Sequence, residues 1–501
     1  MTLVWMGEHA DLDRELVGGK AHSLNRMHAL GLPVPPAFVL TTDECARYSR
    51  LGRLGDTVLD ALRSAVATLE ARTGRRFGDT RRPLLVSVRS GAATSMPGMM
   101  DTVLNLGIND EVEAALRAST GDAAYAADTH RRFRQQFARV VGTDAPADPW
   151  AQLVAAVCAV FGSWQSKRAV SYRRHHRIPD DGGTSVTVQA MVFGNLDDNS
   201  GTGVLFSRNP LTGDAEPYGE WLPRGQGEDI VSGAHDPLPL ATLAAQLPKV
   251  HHSLLEAAAL LETTGRDVQD IEFTVEAGTL WLLQSRSAKR SPDAAVRLAV
   301  ALHDDGVADA HEALHRVTPE QVAAVCRPRI TPEARAAAKV VARGEAACPG
   351  VASGRVVADV DTAESLADEV DVVLARPTTD PDDVPGMIVS AAILTEIGGS
   401  TSHAAVVSRE LGTPCVVGCG AGSLAALVGT EVTVDGSTGE VFAGRVPLTS
   451  GDPEDNPALA RLLEWARERV PGHPGGPAEL VAAAQAATRS ARPVVATRRA
   501  G

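Results

Sequence analysis

The sequence predicts a multidomain α/β protein, and three observations carry that expectation. At 501 residues the chain exceeds what one hydrophobic core organises and fits two to four domains. Short β-rich runs, LLVSV at 84–88 and TSVTVQAMVF at 184–193, alternate with stretches of helical spacing at 149–177 and 240–263. After an Ala-rich helical stretch, a second Gly-rich α/β segment runs from CPGVASGRVV (348–357) to DGSTGEVFAG (435–444).

Composition narrows the functional classes. With 44% hydrophobic and 22% charged residues, the chain has the balance of a soluble globular protein. Its longest apolar runs fall well short of the roughly 20 residues that span a bilayer. The opening MTLVWMGEHADLDRELVGGK lacks a basic-then-apolar leader pattern, so a cytoplasmic location is expected, with no membrane partner. A net charge of −14 argues against coating nucleic acid, and an anionic substrate would need a locally basic pocket. Six scattered cysteines form no CxxC pair and suggest neither a disulfide framework nor a zinc site.

Taken in order, the first distinctive element is LVGGKAHSLNRM, where Lys20 follows Gly-Gly and precedes a helical pattern. The P-loop spacing is absent, so this lysine alone says little. In SVRSGAATSMPGMMDTVLNLG (87–107) a strand is expected to end at Arg89 and give way to small residues. Small side chains let backbone N–H groups approach an oxyanion, and Arg89 could add a charge-assisted pair. A Gly-rich surface loop with an incidental arginine reads equally from the same residues.

QDIEFTVEAGTLWLLQSR (269–286) alternates on both sides of an EAG turn and predicts a β-hairpin. Period two puts Asp270 and Glu272 on one face of the first strand, and Gln284 and Arg286 on one face of the second. That set suits a Mg-nucleotide platform, with oxygen ligands for a hard cation and Arg for phosphate. Ordinary cross-strand pairing explains the same spacing.

Residues 291–345 read as a helical linker punctuated by Pro319, Pro328 and Pro332. Within the second α/β segment, TEIGGSTSHAAVVSREL (395–411) joins a strand-like approach, a Gly-Gly turn and a helix. Ser400, Thr401 or Ser402 can cap that helix, which leaves His403 in its first turn. The N-terminal dipole favours an added anion and disfavours imidazolium, so neutral, nucleophilic imidazole fits there. A polar cap that happens to contain a histidine fits as well. Beyond residue 446, PALARLLEWARERV is amphipathic, and the Pro/Gly/Ala/Arg-rich tail after it is expected to be poorly ordered.

Five stretches in this order, GGKAHSLNRMHALGLPVPPAFVLTT, LLVSVRSGAATSMPGMMDTVLNLG, GTGVLFSRNPLTG with YGEWL and GQGEDIVSG, the hairpin, and TEIGGSTSHAAVVSRELGTPCVVG, resemble the pyruvate, phosphate dikinase family over roughly residues 15–445. The resemblance implies an ATP-grasp nucleotide-binding domain (1–290), the helical linker (291–345) and a swivelling β/β/α phosphohistidine domain (346–445). It implies a dikinase using ATP, Mg²⁺ and phosphate to phosphorylate His403, with AMP and pyrophosphate released and pyruvate as the later acceptor. By resemblance, Lys20, Arg89 and Arg286 lie at the ATP phosphates, and Gly91, Glu220 and Asp270 belong to the nucleotide site. Glu272 and Gln284 are the implied metal ligands. Thr401 matches a threonine that regulatory phosphorylation targets in plant members.

Two departures accompany the resemblance. The chain ends where the family's PEP/pyruvate barrel begins, so residues 446–501 read as its lead-in and a tail, and PEP formation is expected to need a separate barrel. The family's Arg-Gly-Gly before the histidine is Ile397-Gly398-Gly399, whose wording leans towards PEP synthase and rifampin phosphotransferase. A missing charge-assisted contact of this kind is worth about 1.5–3 kcal/mol. Another small-molecule acceptor, or a nucleotide-binding regulatory protein without catalysis, are the alternative readings; a homo-oligomer is compatible with all three.

Overall fold

The computed structural model describes residues 2–490, apart from residues 10, 11, 95, 97, 231–235, 328, 331 and 450–452. The N-terminal unit contains two five-stranded antiparallel sheets. The first orders Leu3–Trp5, Ala37–Leu40, Ser185–Ala190, Val86–Gly91 and Thr102–Leu106 side by side. The second orders Leu238–Pro239, Tyr218–Pro223, Gly201–Phe206, Gln269–Glu276 and Thr279–Ser287.

The expected helical stretches each divide in two. Residues 149–177 form Pro149–Ser163 and Lys167–His176, separated where Ser166 caps the second helix by accepting from Ala169 N. Residues 240–263 form Leu240–Gln246 and Pro248–Gly265, broken at Pro248, which lacks the N–H that a continuous helix needs. The strand carrying Arg89 does not end there but continues to Gly91.

The hairpin forms as the period-two pattern predicts. Ala277 and Gly278 make its turn with φ of 47° and 75°, the left-handed pair that a tight two-residue hairpin requires.

The histidine unit is a mixed eight-stranded sheet that begins at Val340–Arg343, a few residues before the expected boundary at 346. At its centre Val351–Val357, Val372–Arg376, Ala392–Thr395 and Cys415–Val417 run parallel. Loops leaving neighbouring parallel strands at their C-terminal ends converge at one edge, where open α/β sheets place their sites.

Between the two units, Pro292–Asp304, Ala310–His315 and Pro319–Val325 form the expected helical linker. Capping boxes at Asp309/Glu312 and Thr318/Gln321 set the last two starts, with Pro319 at the opening of the third helix. Pro328 lies outside the described residues. The amphipathic piece forms the helix Pro457–Arg469, and the tail departs from expectation in that Pro477–Ser490 is also a helix; both pack onto the linker through Leu462, Trp465, Leu480 and Val481. Residues 477–490 therefore bury apolar surface that their Pro- and Gly-rich flanks obscure; residues 491–501 lie outside the described set. Among the described residues, no helix is long and apolar enough to cross a membrane.

Candidate active site at the histidine turn

A polar face forms where the two N-terminal sheets approach each other. In the hairpin, Asp270 stands opposite Arg286 and Glu272 opposite Gln284, so all four side chains share one face. A β-bulge between Glu272 and Phe273 shifts the register by one residue at Leu283, and that shift is what sets Glu272 opposite Gln284 and Asp270 opposite Arg286. Asp270 Oδ2 accepts from Arg286 Nε at 2.8 Å. Arg89, from the first sheet, reaches Glu272 Oε2 at 3.5 Å and Gln189 Oε1 at 3.4 Å. Glu272 and Gln284 therefore offer two oxygen donors side by side, a set that fits a hard divalent cation.

Lys20 joins this face through backbone stitching. Gly18 takes φ 78° and ψ 160° and breaks the helix Arg14–Ala29, and Gly19 N donates to Ala92 O at 2.8 Å. A Cβ on Gly18 would lie 2.2 Å from Gly91 O, so only glycine permits this approach. Gly91 in turn packs beside Lys20, whose Cβ would sit 3.7 Å from an added Cβ.

The histidine turn leaves the C-terminal end of Ala392–Thr395 and opens the helix His403–Leu411. Ser402 is the N-cap residue, yet its side chain makes no capping hydrogen bond and Oγ is buried without a partner. His403 is the first helical residue. Its Nδ1 lies 3.1 Å from Thr379 Oγ1, on the loop that follows the neighbouring parallel strand Val372–Arg376. Its Nε2 is buried with no hydrogen-bond partner. That nitrogen faces the small-residue loop of the N-terminal unit, 3.4 Å from where a Cβ on Gly98 would stand. Burial pushes the His403 imidazolium pKa down to about 4, against a smaller opposing pull from Asp380. The direction agrees with the helix-dipole expectation, but desolvation is the main cause.

The two units meet around this turn. Glu220 Oε1 accepts from Ser400 Oγ at 3.1 Å, and Glu220 Oε2 accepts from Thr401 Oγ1. Tyr218 contacts Ser400 Oγ and donates to Glu345 Oε1 at 3.2 Å. Burial pushes the Glu220 carboxyl upward, partly offset by those hydroxyls. A side chain at 399 would put its Cβ 2.9 Å from Glu220 Oε1, which accounts for glycine there. From beneath, the buried Arg409 donates through Nη1 to Ser400 O at 2.8 Å and Ala347 O at 3.1 Å.

Of the residues singled out from the sequence, Lys20 and Gly91 adjoin, and Arg89, Asp270, Glu272, Gln284 and Arg286 gather at the hairpin. Glu220 stands apart from that group, with its hydrogen bonds running to the turn before His403. Ile397, at the departure from Arg-Gly-Gly, is solvent-exposed, and Arg409 is the cation lying under the turn. Thr379, Tyr218 and Arg409 were not read from the sequence. The dense polar loop PTTDPDD after a β-rich run is the one local signal that could have flagged Thr379.

Comparison with known proteins agrees with this geometry. Residues 14–73 and 57–249 match the family model for the pyruvate phosphate dikinase AMP/ATP-binding domain. Residues 369–439 match the mobile domain of PEP-utilising enzymes. The chain is 40% identical to a pyruvate, phosphate dikinase of Rhizobium meliloti (strain 1021), over 91% of its own length and 58% of the relative. It is 38% identical to that of Clostridium symbiosum, over 90% of this chain and 59% of the relative. For pyruvate, phosphate dikinase 2 of Zea mays the figures are 40%, 90% and 58%. The chain thus spans somewhat over half the length of these relatives. Over the residues so matched the chain belongs to the pyruvate, phosphate dikinase family.

Proposed function

We propose that this chain carries out the nucleotide half of a dikinase reaction, with His403 Nε2 as phosphoryl acceptor. The observation that supports this most is the state of that imidazole: Nδ1 engaged by Thr379, Nε2 unpartnered and turned to the loop at Gly98. With Nδ1–H donating to Thr379 Oγ1, the lone pair resides on Nε2, the form that attacks phosphorus. The atoms balance as follows. Nε2 bonds to the β-phosphorus as the α–β bridge of ATP breaks and AMP leaves; inorganic phosphate then takes the γ-phosphoryl as the β–γ bridge breaks, giving pyrophosphate and leaving the β-phosphoryl on Nε2.

The chain's own groups supply positioning and charge. Lys20, Arg89 and Arg286 hold the phosphates, with Gly91 letting the backbone come close. Glu272 and Gln284, with Asp270 beside them, hold Mg²⁺, which when bound neutralises phosphate charge. Glu220 holds the turn through Ser400 and Thr401. Onward transfer from His403 to pyruvate, giving phosphoenolpyruvate, completes the reaction named for the relatives, and no residue here is assigned to it.

The test is nucleotide analysis after incubation with Mg-ATP, with and without phosphate. Formation of AMP and pyrophosphate that depends on phosphate supports the reading. Formation of ADP, or no turnover at all while ATP binds, overturns it.

A further inference from the structure

The helix that begins with His403 ends with a carboxylate, Glu410, whose partners lie across the domain boundary. Glu410 Oε1 accepts from Tyr172 Oη at 3.0 Å and from Lys289 Nζ at 3.2 Å. Tyr172 belongs to the helix Lys167–His176 of the N-terminal unit, and Lys289 follows the second hairpin strand, three residues after Arg286. Glu410 is only 14% exposed, against 41% for Lys289.

A carboxylate at this place does its own helix no favour. The last helical turn presents the negative end of the dipole, where an acidic side chain is disfavoured. Docking supplies the compensating partners. The other end of the same helix is tied by Ser400 and Thr401 to Glu220. Seven helical steps of 1.5 Å separate His403 from Glu410, so the helix start and the Glu410 attachment lie about 10 Å apart. Two separated anchors fix the direction of a rod as well as its position, and one anchor cannot.

We propose that Glu410 is a positioning residue that clamps the far end of the His403 helix to Tyr172 and Lys289, orienting Nε2 toward the nucleotide loop. The proposal rests on the reading of His403 as acceptor only for its kinetic consequence. The clamp itself is a statement about docking. It is electrostatic, so docking weakens as salt rises.

The experiment uses the full chain with one spin label on each unit, at exposed positions away from the boundary, and reads the interdomain distance distribution. Alongside it, single-turnover phosphorylation of the protein from ATP and phosphate is followed, with nucleotide affinity measured separately. Glu410→Gln should lower the docked fraction and, at saturating nucleotide, the phosphorylation rate about two- to fivefold, the range for a partly exposed ion pair. The charge swap Glu410→Lys with Lys289→Glu should restore docking, which a mere loss of packing would not allow. Unchanged docking in Glu410→Gln, or no rescue by the swap, overturns the clamp. If wild type docks and responds to salt and substitution as described but never becomes phosphorylated, the clamp stands and the proposed function fails.

Discussion

Thr379 Oγ1 lies 3.1 Å from Nδ1 of His403, although the two residues leave different strands of the sheet. Their loops follow Val372–Arg376 and Ala392–Thr395, parallel neighbours whose C-terminal ends open at the same edge. Under the proposed function Nδ1–H donates to this hydroxyl, which leaves the lone pair on Nε2. Replacing Thr379 by Val should slow phosphorylation of His403 by about two- to tenfold, the worth of one hydrogen bond, and Thr379→Ser should recover most of it. Nitrogen chemical shifts of the imidazole should show mixed tautomers in the Val variant and a single one in wild type. A single tautomer in both would contradict the assignment.

Acid should act on the docked protein through the same side chain. Burial holds the His403 pKa near 4, below the ordinary value of about 6.5. The folded state therefore refuses a proton that the unfolded state accepts. Its contribution to stability is complete above about pH 6.5 and is lost as pH falls from there towards 4, in all about 3 kcal/mol. Imidazole resonances followed by NMR should show His403 still neutral at pH 5.5, while an exposed histidine is mostly protonated. The phosphorylation rate should likewise show no falling limb near 6.5.

Gly98 is a point of close approach between the two units. It has φ +69°, and an added Cβ would stand 2.7 Å from Pro381 Cγ and 3.4 Å from His403 Nε2. Gly98→Ala combines a left-handed backbone cost of about 1–2 kcal/mol with that collision, so it should slow His403 phosphorylation tenfold or more. ATP affinity, measured by calorimetry, should change little, because the obstruction lies on the histidine side of the loop.

The tail helix gives a prediction about stability alone. Leu480 is 5% exposed and packs among the linker helices with Leu462 and Val481. Leu480→Ala should cost about 2–5 kcal/mol in that helical unit, the usual range for a truncated core side chain. Amide exchange in 477–490 and 319–325 should accelerate together. If only 477–490 responds, the helix is not integral to the linker core.

These positions also show what the chain discloses before folding. The hairpin and its two-residue turn were legible, because period two is a local rule, but Asp270 and Glu272 face Arg286 and Gln284 only through the bulge at Leu283, which no local pattern announced. The histidine's place at a helix start was legible from its capping residues for the same reason. Thr379 and Glu220 were not, in the roles the fold gives them: 24 and 183 positions separate them from His403, and no local pattern links such pairs. Strand order brings Thr379 to His403, and contact between the two units brings Glu220 to the turn before it. The helix 477–490 was hidden for a different reason. Its buried face is carried largely by Leu480, Val481 and Ala484, too few apolar residues to stand out among alanines and flanking Pro-Gly turns.

The central claim is that His403 Nε2 receives the phosphoryl group. It is tested most directly by incubating the chain with Mg²⁺, phosphate and ATP labelled at the β-phosphate, then mapping the label. The account predicts one acid-labile, base-stable phosphoryl group per chain, located on His403 and absent from His403→Ala. Equal labelling of wild type and His403→Ala, or label on Ser400, Thr401 or Ser402 instead, would contradict it.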